Sequence, residues 1–515
     1  MGNIFTKSVV TFFMCVGTMF SLCGDRPLHD HYFLPYKLPE NLFPVKSSIT
    51  LTDFIPPELR NLAYGIYPES PEYNTARLIY NKRFVYFPKA IFVPTTPQEV
   101  QYLVGVLKQY NLPFAIQSGG HCIEPGSLSS YYVISLKNFN SIIPDITTGQ
   151  VYIGAGAKIE TVLQTLGLID YAIPTGTCPS VGIAGLTLGG GLGLLGRPYG
   201  LTCDSVQSIT FVNADAEIIE VSATNYPDLF WALRGGGNGS YGIALGFTFN
   251  MHYIPVVTYY ELIWNYDPQL IPDIMIAWQK WTKNLPEIIS SDLAIRHPNY
   301  LAANPEETPP FTIRIFGLKV SSEPFTEWEE AFQCLHPDVF IRSGSYLEMS
   351  KFWARESDLP FLKYKSKILM KPLNLSAIMD ITRFFIQLER GNPSDLIYFE
   401  FERLGGQVPN NHTAFFPRRA FGWWAQAYFW PEQEQSEEIL ALSRRFYASI
   451  PKEVSRYCYA NLVDYDLGKR YLKDYYGNHV DRLIRIKRKY DPTNLFHWKQ
   501  SIPLRKGGCR GESSS

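Results

Sequence analysis

The chain has 515 residues, 18% of them charged, and a formal net charge of −1. That length leaves room for two or three domains around a sizeable core. The near-neutral balance provides no basic field of the kind that marks a nucleic-acid binder.

At the N-terminus Lys7 precedes an apolar run from Val9 to Cys23, followed by polar Gly24-Asp25-Arg26. The run is too short to cross a bilayer comfortably and has the length of a signal-peptide core, so residues 1–24 predict a secretion signal. No later stretch predicts a stable membrane span. The eight cysteines include no Cys-x-x-Cys or Cys/His metal spacing, and no metal site is expected. Residues 25–75 are proline-rich and irregular, a lead-in to the main body.

Strands are expected over residues 84–87 and 90–93. Thr96 is a good N-cap and Pro97 suits the first turn of a helix carrying Val100, Leu103, Val104 and Leu107 on one stripe. The strand at residues 113–116 then delivers Ser118-Gly119-Gly120-His121 to a loop, completing a β-α-β unit. Further strands are read at residues 131–136 and 150–153, a helix at 158–166, a hairpin around Asn213-Ala214-Asp215-Ala216, a short helix at 226–233 and a strand at 242–250. Residues 256–450 alternate amphipathic helices, such as 272–281, with strands such as 311–318 and 396–404, a second α/β domain. The last residues, 506–515, are a Gly/Ser-rich tail.

The organising stretch is residues 174–200, with too many glycines for a helix and too few polar groups for a linker. Glycine permits positive φ and close approach of backbone to ligand. Successive backbone N–H groups in such a run form anion-holding nests. Ser118-Gly119-Gly120-His121 and Arg234-Gly235-Gly236-Gly237-Asn238-Gly239-Ser240-Tyr241-Gly242 flank it. Three such loops point to a large phosphate-bearing cofactor laid against backbone.

Gln117-Ser118-Gly119-Gly120-His121 and Gly176-Thr177-Cys178-Pro179-Ser180-Val181-Gly182, continuing through Gly185, Gly189, Gly190, Gly191 and Gly193, resemble a known family. It is the FAD-linked oxidases with a PCMH-type (vanillyl-alcohol-oxidase-like) flavin domain, in the berberine-bridge-enzyme and glucooligosaccharide-oxidase group. The resemblance implies an α+β fold: an FAD-binding domain in two subdomains (residues 76–255), a substrate domain over the flavin (256–450) and a C-terminal segment (451–505) returning to the flavin domain. It implies FAD bound bicovalently, through His121 to the 8α-methyl and Cys178 to C6. Ser118, Gly119, Gly120, Val181, Gly182, Gly185, Gly189, Gly190, Gly242, Ile243 and Asn461 are the other cofactor-binding candidates, with Val181 at the gate to an oxygen pocket.

The resemblance also implies a base for the donor's proton. Relatives use a tyrosine in Tyr-x-Asn-Tyr-x-Asp; here the segment is Tyr459-Ala460-Asn461-Leu462-Val463-Asp464, with Leu462 at the second tyrosine. Tyr459 and Glu402 are the catalytic candidates. Arg403, Trp423, Trp424 and Tyr428 are candidates for the substrate pocket. The implied partners are O2 and a small-molecule alcohol, sugar or secondary metabolite. The implied activity is hydride removal by an oxidase that makes H2O2; the alternatives are a dehydrogenase and a flavin binder without activity.

Overall fold

The computed structural model describes residues 55–506, except 266, 297–311, 355–359, 389–395, 411 and 452–453. The expected signal segment, residues 25–54 of the lead-in and all but the first residue of the tail lie outside the described residues.

Strands β1 (Gly65–Ile66), β2 (Ala90–Phe92), β3 (Phe114–Gln117) and β4 (Tyr132–Ser135) make a sheet ordered β1-β2-β4-β3. Both β2 and β3 run parallel to β4. The expected β-α-β unit is therefore present with β4 inserted at its centre. Its helix, Pro97–Gln109, starts on Thr96, whose side chain accepts from the Glu99 N–H while Glu99 reaches back to the cap. Residues 84–87 form no strand, contrary to expectation. Pro88 removes a ladder donor just after them, and Phe84 and Phe87 instead lie against Arg83 and Arg77, at 4.6 and 4.3 Å.

The second sheet contains β5 (Ile142–Asp145), β6 (Gln150–Gly154), β8 (Val206–Val212), β9 (Ile218–Ser222) and β10 (Ile243–Asn250), while β7 (Tyr171–Ala172) pairs separately with β11 (His252–Tyr253). The predicted hairpin is β8–β9, joined where Asn213 Oδ1 accepts from the N–H groups of Asp215 and Glu217. The helix Ile159–Gly167 buries Ile159, Val162, Leu163 and Leu166, an i, i+3, i+4, i+7 stripe.

A third sheet comprises β12 (Val257–Asn265), β13 (Asp292–Arg296), β14 (Thr312–Lys319), β15 (Asp338–Gly344), β16 (Phe361–Leu369), β17 (Leu396–Arg403) and β18 (Gly422–Trp430). Its order is β15-β12-β14-β13-β17-β18-β16, with antiparallel pairs throughout. Side chains alternate across it. Leu293, Ile295, Phe399, Phe401 and Trp424 pack with the helices Ile271–Thr282, Leu375–Leu388 and Ser436–Ser449. The opposite face holds Asp292, Tyr398, Glu400, Glu402 and Trp423 and looks into a cavity.

One reading of the glycine-rich stretch is overturned. Ile183–Leu188 is helical despite Gly185, because Ile183, Ala184, Leu186 and Leu188 are buried together. Apolar burial outweighs the ~1 kcal/mol that a glycine costs a helix.

Candidate active site

The first two glycine loops meet back to back. A Cβ on Gly119 would strike the backbone N of Gly182, and one on Gly182 would strike Gly119 N and Ser118 Oγ. Ser118 is fixed by its hydroxyl, which donates to Ala155 O at 2.6 Å. These glycines are needed for loop-on-loop packing. At Gly185 the reverse holds: a Cβ there meets nothing within 4 Å, and the residue lies on the cavity wall.

That cavity measures ≈1830 Å³. Ser118, Gly119, Gly120, His121, Cys178, Val181, Gly182, Gly185, Gly242, Ile243, Glu402, Tyr459 and Asn461 all line it. Gly189 and Gly190 do not. They stand behind it, where a Cβ would overlap Asn461 Oδ1 and the Phe415 ring respectively. Trp423 lines the cavity, whereas Trp424 and Tyr428 point into the helix-covered core and Arg403 donates to the Thr282, Leu404 and Phe421 carbonyls. The period-2 alternation of a strand separates neighbours such as Trp423 and Trp424 onto opposite faces.

His121 stacks on Tyr80, with ring centroids 4.0 Å apart and planes 14° from parallel. Its loop is anchored from behind by a buried ionic network. Glu124 takes Arg83 at 3.0 Å and Lys363 at 2.5 Å. Lys363 and Lys365, on β16, also bind Asp464 at 2.7 and 2.9 Å, and Lys365 binds Asp466 at 2.7 Å. Burial opposes the Lys363 charge, but Asp464, Glu124 and Asp466 hold its pKa above the usual lysine value. Burial likewise works against the Asp466 charge, yet the surrounding lysines and Arg444 keep that carboxyl well below its ordinary range. Three distant chain segments are thereby tied behind the histidine.

Tyr459 is buried, and its hydroxyl oxygen accepts from Gly191 N–H at 3.1 Å and Asn461 Nδ2 at 2.9 Å. Burial, the largest cause, raises its pKa above the ordinary phenol value, against the lowering effect of those donors. Asn461 Nδ2 also reaches Leu186 O at 2.9 Å, and its Oδ1 accepts from Asn238 at 3.2 Å, so one side chain joins the second and third glycine loops.

Glu402 is buried, where a solvent-facing strand residue would be exposed. Its Oε2 accepts from Trp423 Nε1 at 2.6 Å. Burial, tempered by the Trp423 and Gly193 donors and reinforced by Glu400, raises its pKa to about 8. Asp292 stands directly across the β13–β17 ladder from Glu402. Burial, then Glu402 and Glu400, hold it well above the usual carboxylate range. Glu400 is raised too, by burial working against Arg296 and Arg314. Beside them the Tyr364 and Tyr398 hydroxyls are 2.9 Å apart, and Cys178 lies close enough to both to help raise their pKa values after burial has done most of it.

Asp292, Glu400, Tyr364 and Tyr398 were missed from sequence. Part of the signal was present: Tyr398-x-Glu400-x-Glu402 is a period-2 polar face inside an otherwise apolar strand. Asp292 had none, because its partner lies across a ladder that local pattern does not reveal.

The site accommodates FAD. Its volume exceeds the roughly 300–1,000 Å³ of an ordinary small-ligand pocket; Gly185 leaves an open cradle on the wall, and an imidazole and a thiol share that wall. A family profile described as "FAD binding domain" matches residues 88–222, and one described as "Berberine and berberine like" matches residues 458–503. Fold and site thus define an FAD-binding enzyme. The FAD-linked oxidoreductase YgaK of Bacillus subtilis (strain 168) is 30% identical over 449 residues, spanning 84% of this chain and 95% of that protein. The structure of Physcomitrella patens BBE-like 1 superposes with a TM-score of 0.75 at 26% identity, covering 86% of this chain and 97% of that one. Glucooligosaccharide oxidase from Acremonium strictum, at 23% identity, shares the fold with a TM-score of 0.74 over 85% and 96% of the two chains. The chain belongs to the berberine-bridge-enzyme-like FAD-linked oxidoreductases.

Proposed function

We propose that the protein is a secreted oxidase that removes hydride from the carbinol C–H of an alcohol or carbohydrate and passes the electrons to O2, giving H2O2. The observation that carries this reading is one cavity walled by His121 and Cys178 together with Glu402. His121 and Cys178 would hold FAD covalently, a reading supported by the Acremonium oxidase, whose FAD is described as 6-S-cysteinyl, 8α-N1-histidyl. FAD, when bound, supplies the two-electron acceptor.

The remaining chemistry belongs to the chain. Glu402 takes the donor's hydroxyl proton. Trp423 fixes its carboxylate through the 2.6 Å hydrogen bond, and burial keeps its pKa, about 8, near the pH at which a general base works best. Tyr459 is the weaker candidate. Its oxygen already accepts from two buried donors, so it orients Gly191 and Asn461. Leu462 on the same wall leaves an apolar surface at the position where the resembled family's motif has its second tyrosine. The apolar run at residues 9–23 supports export.

Intact-mass spectrometry of the denatured protein tests the cofactor. It should carry one FAD, retained by either His121→Ala or Cys178→Ala and lost in the double variant. Anaerobic mixing with sugars and alcohols should bleach the flavin, and reoxidation in air should return one H2O2 per turnover. Rapid dye reduction without peroxide would establish a dehydrogenase instead. No bleaching by any donor would sink the enzymatic reading.

A further inference from the structure

The proposed reaction uses one carboxyl, yet the wall also presents Asp292, whose Oδ1 receives no hydrogen bond from any described residue. Asp292 is 1% exposed. A buried carboxyl oxygen left in that state costs stability unless something else supplies the partner. Asp292 and Glu402 are register partners on antiparallel strands, so their side chains rise from the same face with Cβ atoms about 4.5–5.5 Å apart. Their surroundings differ. Glu402 receives the Trp423 indole N–H and a backbone N–H from Gly193, donors that favour a carboxylate. Among the described residues nothing donates to Asp292 Oδ1, and Asp292 faces two further carboxyls, Glu402 and Glu400.

We propose that Asp292 and Glu402 act as one unequal pair: Asp292 keeps its proton and donates a hydrogen bond from Oδ1 to the oxygen of the substrate's hydroxyl, while Glu402, as carboxylate, removes that hydroxyl's proton. The inference rests on the oxidoreductase reading above and gives a physical reason for its alcohol substrate class. A hydroxyl can accept from Asp292 and give to Glu402 in the same geometry. An ammonium has no lone pair for Asp292, so the pair selects alcohols over protonated amines. The proton balance is simple: the substrate O–H bond breaks, Glu402 becomes neutral, and the two electrons of the adjacent C–H bond leave as hydride to FAD, the oxidant of the proposed reaction.

The electrostatic setting of the pair comes from several elements. Glu400 stands beside it on β17, with Arg296 on β13 and Arg314 on β14 acting on Glu400. Tyr260 on β12 feels Asp292, and Tyr459 of the C-terminal segment feels Glu402. The neutral Trp423 comes from β18.

Infrared titration of the intact protein as purified tests the proposal without a substrate. At pH 9 a protonated-carboxyl band should persist, and Asp292→Asn should remove one carboxyl's share of it. Between pH 9 and pH 6 a second carboxyl should gain its proton with a midpoint near 8, and Glu402→Gln should abolish that gain. A native protein with no protonated-carboxyl band at pH 9 overturns the proposal, and that measurement needs no variant to fold. So does a band that Asp292→Asn leaves intact. If the mass spectrum shows no FAD, the flavin reading fails while the carboxyl titration remains readable, so the two failures are distinguishable.

Discussion

At the residue scale, the consequences gather on Glu402 and its indole partner. Removal of a general base costs typically 10²–10⁴-fold, so Glu402→Gln should lower kcat/KM by about that factor once a donor is in hand. Trp423→Phe deletes a donor that lowers the Glu402 pKa. The acid limb of the kcat/KM profile should therefore move to higher pH. The same carboxyl shapes stability. Its folded pKa, about 8, lies above the ordinary unfolded value of roughly 4.3. The folded state binds the extra proton, so stability falls as pH rises from that ordinary value toward 8. Glutamine carries no such penalty. The melting temperature of Glu402→Gln relative to the native protein should be higher at pH 8 than at pH 5. Glu402 was presented by the family resemblance, and His121 and Cys178 by the glycine-rich motifs that carry it. The sequence did not present Asp292, because an isolated aspartate at the start of an apolar strand acquires meaning only when β13 is laid beside β17.

At the element scale, the glycines fall into two mechanical classes. Gly182 is held against Gly119 with no space for a methyl group, whereas Gly185 faces open cavity. Gly182→Ala should destabilise the protein by ~1–3 kcal/mol, the usual cost of overpacking, measured as a denaturation midpoint whether or not flavin is present. Gly185→Ala should leave the fold intact and reduce flavin content on reconstitution. Equal destabilisation by the two would contradict the placement. Regular elements with local signals were legible: the capped helix Pro97–Gln109, the β8–β9 hairpin and the helix Ile271–Thr282 sit where periodicity and caps put them. Residues 84–87 misled because an aromatic run before a proline has strand composition without a strand partner. The helix Ile183–Leu188 misled in the opposite direction, Gly185 and the flanking glycines masking a cluster of buried apolar residues. Trp423 and Trp424 were both candidates for the substrate pocket, but adjacent residues in a strand face opposite ways, and only Trp423 lines the cavity.

At the scale of the whole molecule, the buried charges behind His121 join parts of the chain that lie hundreds of residues apart. Lys363 is almost fully buried between Glu124 and Asp464. Removing one partner of such a pair leaves an uncompensated buried charge, at a cost of about 3–5 kcal/mol. Lys363→Ala should lower the urea midpoint accordingly and loosen the His121 loop, read as slower appearance of covalent flavin in the mass spectrum. The C-terminal segment is bolted down a second time, where Lys487 donates to the Ser240 and Phe496 carbonyls and pairs with Asp491 at 2.6 Å. The resemblance implied that this segment exists, but not these clasps, since the contacts that fasten it to the rest of the chain, Lys487 to Ser240 and Asp464 to Lys363 and Lys365, depend on non-local pairing.

The double fastening of the C-terminal segment bears on how the protein is made. Tyr459, Asn461 and Leu462 close one side of the cavity, and Asp464 completes the clasp behind the histidine, yet all four are synthesised late, followed only by the lining residues between Tyr465 and Lys506. A nascent chain still short of them has its glycine loops but an open chamber. Cofactor capture therefore waits until translation is nearly finished, and a truncated message would yield a colourless polypeptide even though each nucleotide-binding loop had been faithfully encoded.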